Sequence, residues 1–224
     1  MSSNIIELRD LCKSYKDHKA VNNINLNIPK QSIYGLLGPN GAGKTSTIRM
    51  ITSITKPDSG QILLDGEPLR MEHVRAIGYL PEERGLYKKM KVYEQLLYLA
   101  QLKGLSKADA KDRIAYWSDR FDISAWWPKT IEELSKGMQQ KIQFVATVLH
   151  EPKLIILDEP FTGLDPLNTD LIKEEIFNLN KDGASIIFST HRMEQVEEIC
   201  EHIALINQGE VILHGQLKEI KSTY

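Results

Sequence analysis

At 224 residues, 42% of them hydrophobic and 26% charged, the chain is long enough to bury a sizeable core and has the balance of an ordinary globular domain. A net charge of -2 supplies no overall basic field, so nucleic acid is not expected as a partner. The two cysteines, Cys12 and Cys200, exclude a disulfide framework and a cysteine-ligated metal cluster; they fit a reducing compartment and are expected as small buried apolar residues.

The stretch from Met1 to Asp10 lacks a basic-then-apolar targeting pattern. Ile5–Arg9 and Ile24–Ile28 alternate apolar and polar residues, which predicts strands with one wet face. Between them lies Tyr15, whose flat ring could stack on a base or simply pack. Ser32–Leu37 reads as a short buried strand. It runs into Gly38-Pro39-Asn40-Gly41-Ala42-Gly43-Lys44-Thr45, a complete G-x-x-x-x-G-K-[ST] pattern, and Ser46 opens a helix. Glycines let the backbone wrap so that successive N–H groups face one anion, and the helix N-terminus adds partial positive charge there. In such a loop Lys44 reaches the terminal phosphates and the Thr45 hydroxyl ligates Mg²⁺.

Pro57–Gly60 reads as a turn and Ile62–Gly66 as a strand ending in one. Ile77–Leu80 is another short strand, stopped by Pro81. The polar loop Glu82–Lys89 follows; its acids are either solvated or face Mg²⁺ or the attacking water. From Val92 to Phe121 the pattern turns helical, with Gly104 as a C-cap and Ser106 with Asp109 capping the next helix. Trp117, Phe121, Trp126 and Trp127 lack basic interleaving, which favours core packing over a base-stacking platform.

Ser135 is a good N-cap for a helix with the apolar stripe Met138, Ile142, Val145 and Leu149. Taken alone, that helix start is weak evidence for an anion site. Leu154–Leu157 is apolar throughout, too short to cross a bilayer and right for a strand buried on both faces. Any membrane-spanning part must come from another chain. Asp158 and Glu159 stand at its C-terminal end, where open α/β sheets place ligands. Asp158 is placed to hold Mg²⁺ through its shell, and Glu159 to polarise a water for attack on a γ-phosphate. Asp165 caps a helix that opens on Pro166, with Leu167, Leu171, Ile172, Ile176 and Leu179 as its buried stripe. Ser185–Thr190 is a buried strand with His191 at its end, a candidate γ-phosphate donor. His18, His73, His150, His202 and His214 suggest no site. Ile203–Ile206 and Val211–Leu213 form a closing hairpin.

In this order the motifs resemble the nucleotide-binding subunit of ABC transporters, from Ile5 to about Gln216. The resemblance implies an α/β fold: a RecA-like P-loop NTPase core with an antiparallel β subdomain (1–81 and 152–224) and a helical signature subdomain inserted at about 88–150. It implies ATP and Mg²⁺ as cofactors. Tyr15 matches the adenine-stacking aromatic, Gly38 to Thr45 with Ser46 the phosphate site, Asp158 the metal aspartate and Glu159 the catalytic glutamate. Lys44 and His191 complete the catalytic set, His191 as the switch histidine. Asp165 matches the interface loop. Leu134-Ser135-Lys136-Gly137-Met138 resembles the L-S-G-G-Q signature but departs from it at Lys136 and Met138. Glu82 stands where the family usually has Gln; an ionised Glu only accepts hydrogen bonds, yet could still meet Mg²⁺ or the nucleophilic water.

In such proteins two ATPase subunits, identical or related, pair head to tail with ATP sandwiched between them. They act on an integral membrane permease, which implies a cytoplasmic protein peripheral to the inner face of the membrane. The segment from Gly78 to Tyr87 is similar to ATPases of ABC-2-type exporters. ABC ATPases serving translation or DNA repair generally carry tandem domains or a long coiled-coil insertion, and neither is present. A guanine-reading N-K-x-D is also absent, because Asn180-Lys181 is followed by Asp182-Gly183.

Overall fold

The first strand runs well past Arg9, although Arg9-Asp10 and Leu11-Cys12 break the apolar–polar alternation. In the computed structural model, which describes residues 3–16, 18–83 and 85–223, β1 (Asn4–Tyr15) pairs antiparallel with β2 (His18–Pro29). Tyr15 is the last residue of β1 and lies opposite His18. Ser59 and Gly60, expected in a turn, instead open β4 (Ser59–Leu64), because Ser59 pairs with Cys12 of β1 across a register shift. With β5 (Glu67–Pro68) these strands form a four-stranded antiparallel sheet in the order β2-β1-β4-β5. β3 (Ile33–Leu37) leads through the phosphate loop into α1 (Lys44–Ile51). Arg84, in the polar loop, lies outside the described residues.

A second, six-stranded sheet holds β3, β6 (Ile77–Leu80), β7 (Leu154–Asp158), β8 (Ser185–Thr190), β9 (His202–Asn207) and β10 (Glu210–Gln216). Its order is β10-β9-β3-β8-β7-β6, with all neighbours parallel except the β9–β10 hairpin. Its parallel strands are covered on both faces, as the near-continuous apolar runs of β3, β7 and β8 require, while the edge strand β10 has no fully buried residue. Leu154 and Ile156 of β7 face one cluster, shared with Ile6, Leu8 and Ile24 of the first sheet and Ile48 of α1. Ile155 and Leu157 face another, shared with the helices. The strand period of two thus serves two cores at once. Each fully buried Ile, Leu or Phe contributes about 1.5–3 kcal/mol of transfer free energy before the entropy of ordering is counted.

The helical side comprises α2 (Val92–Leu102), α3 (Lys107–Phe121), α4 (Lys136–Val148), α5 (Pro166–Lys181), α6 (Met193–Ile199) and α7 (Leu217–Thr223). Ser106 caps α3 as its sequence predicts, accepting from the Asp109 amide at 3.1 Å. Trp117 and Phe121 pack on Phe144 inside the core, and Trp127 donates to the Ser118 hydroxyl at 2.9 Å. Cys200 is buried, as expected, whereas Cys12 is only half-buried. Ile172 and Ile176 of α5 are buried, but Leu167 is 81% exposed. It sits in the first turn of α5, before the helix reaches the core, and so drops out of the expected stripe. No helix among the described residues is long and apolar enough to cross a membrane.

Candidate active site

β3, β8 and β7 are adjacent and parallel, so their C-terminal ends meet at one edge of the sheet. Leu37 pairs with Thr190 and Asp158 with Ser189. Three loops far apart in sequence therefore converge: the phosphate loop, the Asp158-Glu159 turn and the turn at His191. This is the crevice at which an open α/β sheet binds its ligand.

The phosphate loop is buttressed from behind. The Ala42 carbonyl accepts from the Gly209 amide at 2.8 Å, and the Gly209 carbonyl accepts from the Asn22 amide at 2.8 Å. Gly43 has φ of 108°, and a Cβ there would lie 2.4 Å from the Ala20 carbonyl oxygen. Glycine is demanded twice, by conformation and by space. At Gly38 an added Cβ would lie 2.1 Å from the Ile206 carbonyl oxygen. The motif's outer glycine is thus set by close approach to β9. Lys44 folds back over the loop, its Nζ donating to the Gly38 carbonyl at 2.6 Å and the Pro39 carbonyl at 3.1 Å. Burial pulls its pKa below the ordinary lysine value, against the carboxylates of Glu159, Asp158 and Glu82, which favour its charge.

A cavity of about 380 Å³ opens in front of the loop. It is lined by Asn40 to Ser46, Tyr15, Glu82, Asp158 and Glu159, with His18 and Ala20. Gly38 and Pro39 stand behind, as the carbonyls that hold Lys44. Asp158 is 1% exposed, and the Thr45 hydroxyl donates to its Oδ2 at 3.2 Å. Burial raises the Asp158 pKa, opposed by the Ser189 and Thr45 hydroxyls, while Glu82 and Glu159 push it up further. Oxygen donors from a threonine and an aspartate suit Mg²⁺, which keeps few protein ligands and several waters. Three carboxylates also face one ammonium here. That excess of negative charge would repel a triphosphate unless a divalent cation offsets it, so the donor set and the charge balance both fit the metal.

Glu159 is 8% exposed and its backbone is left-handed, at φ of 51°. A non-glycine residue held there costs on the order of 1 kcal/mol, and such residues cluster at functional sites. Its amide donates to the Ser189 carbonyl at 2.9 Å. Its Oε1 accepts from the His191 amide at 2.9 Å, and its Oε2 from the Thr190 hydroxyl at 3.2 Å. His191 Nδ1 lies 2.5 Å from Oε1. A carboxylate only accepts, so Nδ1 carries the proton of that bond. His191 therefore meets Glu159 directly, a pairing the sequence reading did not anticipate.

The signature residues lie elsewhere. Ser135 caps α4, its hydroxyl accepting from the Met138 amide at 3.2 Å. Ser135 and Lys136 are exposed, and Gly137 and Met138 half-buried. None of the four lines the phosphate-loop cavity. Asp165 is exposed and caps α5, accepting from the Asn168 amide at 2.9 Å; that bond and the Asn168 side chain hold its pKa low. His18, dismissed from the sequence, lines the cavity because β1 runs on to Tyr15 and places the two side by side across the hairpin. His150, also dismissed, lines a second cavity, of about 610 Å³, with residues of β6, α2 and α4.

The same fold recurs among known proteins. The family model described as "ABC transporter" matches residues 21–162. The chain is 50% identical, over 98% of its length and 74% of the relative's, to the ABC transporter ATP-binding protein YhaQ of Bacillus subtilis. It is 32% identical to the lipopolysaccharide export system ATP-binding protein LptB of Haemophilus influenzae, covering 96% of this chain and 92% of that one. A solved structure of an ATP-binding subunit of an ABC transporter superimposes with a TM-score of 0.91 at 32% identity, over 98% of this chain and 92% of the other. The chain belongs to the ABC transporter family, as an ATP-binding subunit that couples ATP hydrolysis to transport.

Proposed function

We propose that the chain hydrolyses MgATP to drive export through a separate membrane protein, and that it does so only as one half of an ATPase pair. The observation that carries this reading is the split of the motifs: one cavity gathers the phosphate loop, Asp158 and Glu159, while Ser135 to Met138 lie outside it. A second subunit, identical or related, would bring its own Ser135, Lys136, Gly137 and Met138 to the open side of that cavity, with Asp165 at the seam.

In this reading Tyr15 stacks on the adenine. The backbone from Gly38 to Ser46 and the Lys44 ammonium hold the phosphates. Thr45 and Asp158 hold Mg²⁺, with Glu82 beside them. The metal, when bound, neutralises charge on the phosphate oxygens. Glu159 accepts a proton from the attacking water, and His191, bonded to it, fixes the carboxylate's direction. Lys44, Glu159 and His191 are the catalytic set, and the work they do is positioning and charge stabilisation.

The 610 Å³ cavity, lined by Tyr79, Glu83, Leu86, Leu99, Leu102 and Ala146 among others, is the natural seat for the permease. It lies between β6 of the core (1–81 and 152–224) and the helices at about 88–150, which we read as the signature subdomain. Docked there, the protein would lie at the cytoplasmic face of the membrane. Export is favoured by the likeness to a lipopolysaccharide export protein and by the Gly78 to Tyr87 segment. Glu159→Gln keeps the shape and removes the base, so ATP turnover should fall about 10²–10⁴-fold with nucleotide still bound. Turnover near the parental rate would remove Glu159 from this role.

A further inference from the structure

The Tyr15 ring is 42% exposed at the end of a hairpin, on the cavity wall. A ring free to turn would lose that freedom on stacking, whereas one already held would not. Three contacts hold the chain just before it. The Asp58 amide donates to the Cys12 carbonyl at 2.9 Å. Asp58 Oδ1 accepts from Lys13 Nζ at 2.6 Å, and Oδ2 from the Ser14 amide at 2.7 Å. Lys13 Nζ then lies 5.7 Å from the centre of the Tyr15 ring, within cation–π reach.

Asp58 thus engages three consecutive residues that lead to Tyr15. They need engaging, because β1 is irregular there. Its register with β2 shifts between Leu11 and Lys13 and again between Lys13 and Ser14, and its register with β4 shifts between Arg9 and Cys12. Such bulges re-aim side chains but leave the strand fewer ladder bonds. The side chain of Lys13 is only 15% exposed, so its ammonium sits between the carboxylate and the ring with little freedom of its own.

We propose that Asp58 and Lys13 are positioning residues for the nucleobase: Asp58 clamps the end of β1 and anchors Lys13, and Lys13 backs one face of the Tyr15 ring so that the other is presented to adenine. This rests on Tyr15 being the base-stacking residue. The test uses the full chain and compares MgATP with magnesium tripolyphosphate, which carries no base. Asp58→Ala and Lys13→Met should each raise KM for ATP about two- to fivefold with kcat unchanged. Lys13→Arg should keep the parental KM. Tripolyphosphate affinity should not move in any of them, and Asp58→Ala should add nothing in a Tyr15→Ala background. Parental KM in both Asp58→Ala and Lys13→Met, with KM raised in Tyr15→Ala, overturns the clamp alone. Parental KM in Tyr15→Ala overturns the stacking reading and the clamp with it. Equal losses for ATP and tripolyphosphate also overturn the clamp, because they mark damage to the whole site.

Discussion

Acid should destabilise this chain through His150 as well as through its carboxylates. His150 lies two residues past the end of α4, and both its ring nitrogens are buried. Burial pushes the imidazole from 6.5 down to about 4, and the Lys103 ammonium pushes the same way. Lys103 cannot easily swing aside, since its Nζ donates to the Val74 and Ile77 carbonyls at 3.1 and 2.8 Å. The folded state therefore binds fewer protons here than the unfolded state once the pH drops below 6.5. The stabilising contribution is complete above that pH and is lost as the pH falls towards 4. Integrating the two titrations gives a loss of about 2 kcal/mol at about pH 5, and about 3 kcal/mol near pH 4. Urea unfolding at about pH 7.5 and about pH 5 measures it. His150→Leu removes the titration while the carboxylates stay, so its stability should fall by about 2 kcal/mol less than the parent's between those conditions. His150→Gln serves if the leucine variant folds poorly. A parent and variant that lose stability in parallel would refute the reasoning.

Two further outcomes follow from contacts already described. Lys44→Ala removes charge-assisted contacts worth about 1.5–3 kcal/mol, so ATP affinity should fall about ten- to a hundredfold by calorimetry; unchanged affinity would contradict the phosphate-loop role. Arg120 pairs with the 2% exposed Glu175 at 2.5–2.6 Å and ties α3 to α5. Arg120→Met strands that carboxylate and should cost about 2 kcal/mol in denaturant unfolding, and adding Glu175→Met should recover part of it. A double variant no more stable than the single would show that the pair does not carry the effect.

What could be read in the sequence was local. The phosphate loop, the Ser106, Ser135 and Asp165 caps, and the apolar runs of β3, β7 and β8 each declare themselves within a few residues. The placement of Asp158 and Glu159 beside Lys44 followed from the rule for parallel sheets, since β8 separates β3 from β7 and aligns their ends. What escaped depends on partners far along the chain. β1 was cut short because its bulges break the alternation before Tyr15, and with that the hairpin that brings His18 to the cavity was lost. The Arg120–Glu175 pair joins two helices, so no short-range pattern marks it. The left-handed backbone of Glu159 and its bonds to Thr190 and His191 come from the β7–β8 pairing, which no short-range pattern carries.

The central claim is that the nucleotide site is completed across two subunits. Glu159→Gln should hold ATP without consuming it, so light scattering of that variant should report a monomer without nucleotide and a dimer at saturating MgATP. A variant that binds MgATP fully and still scatters as a monomer would contradict the account.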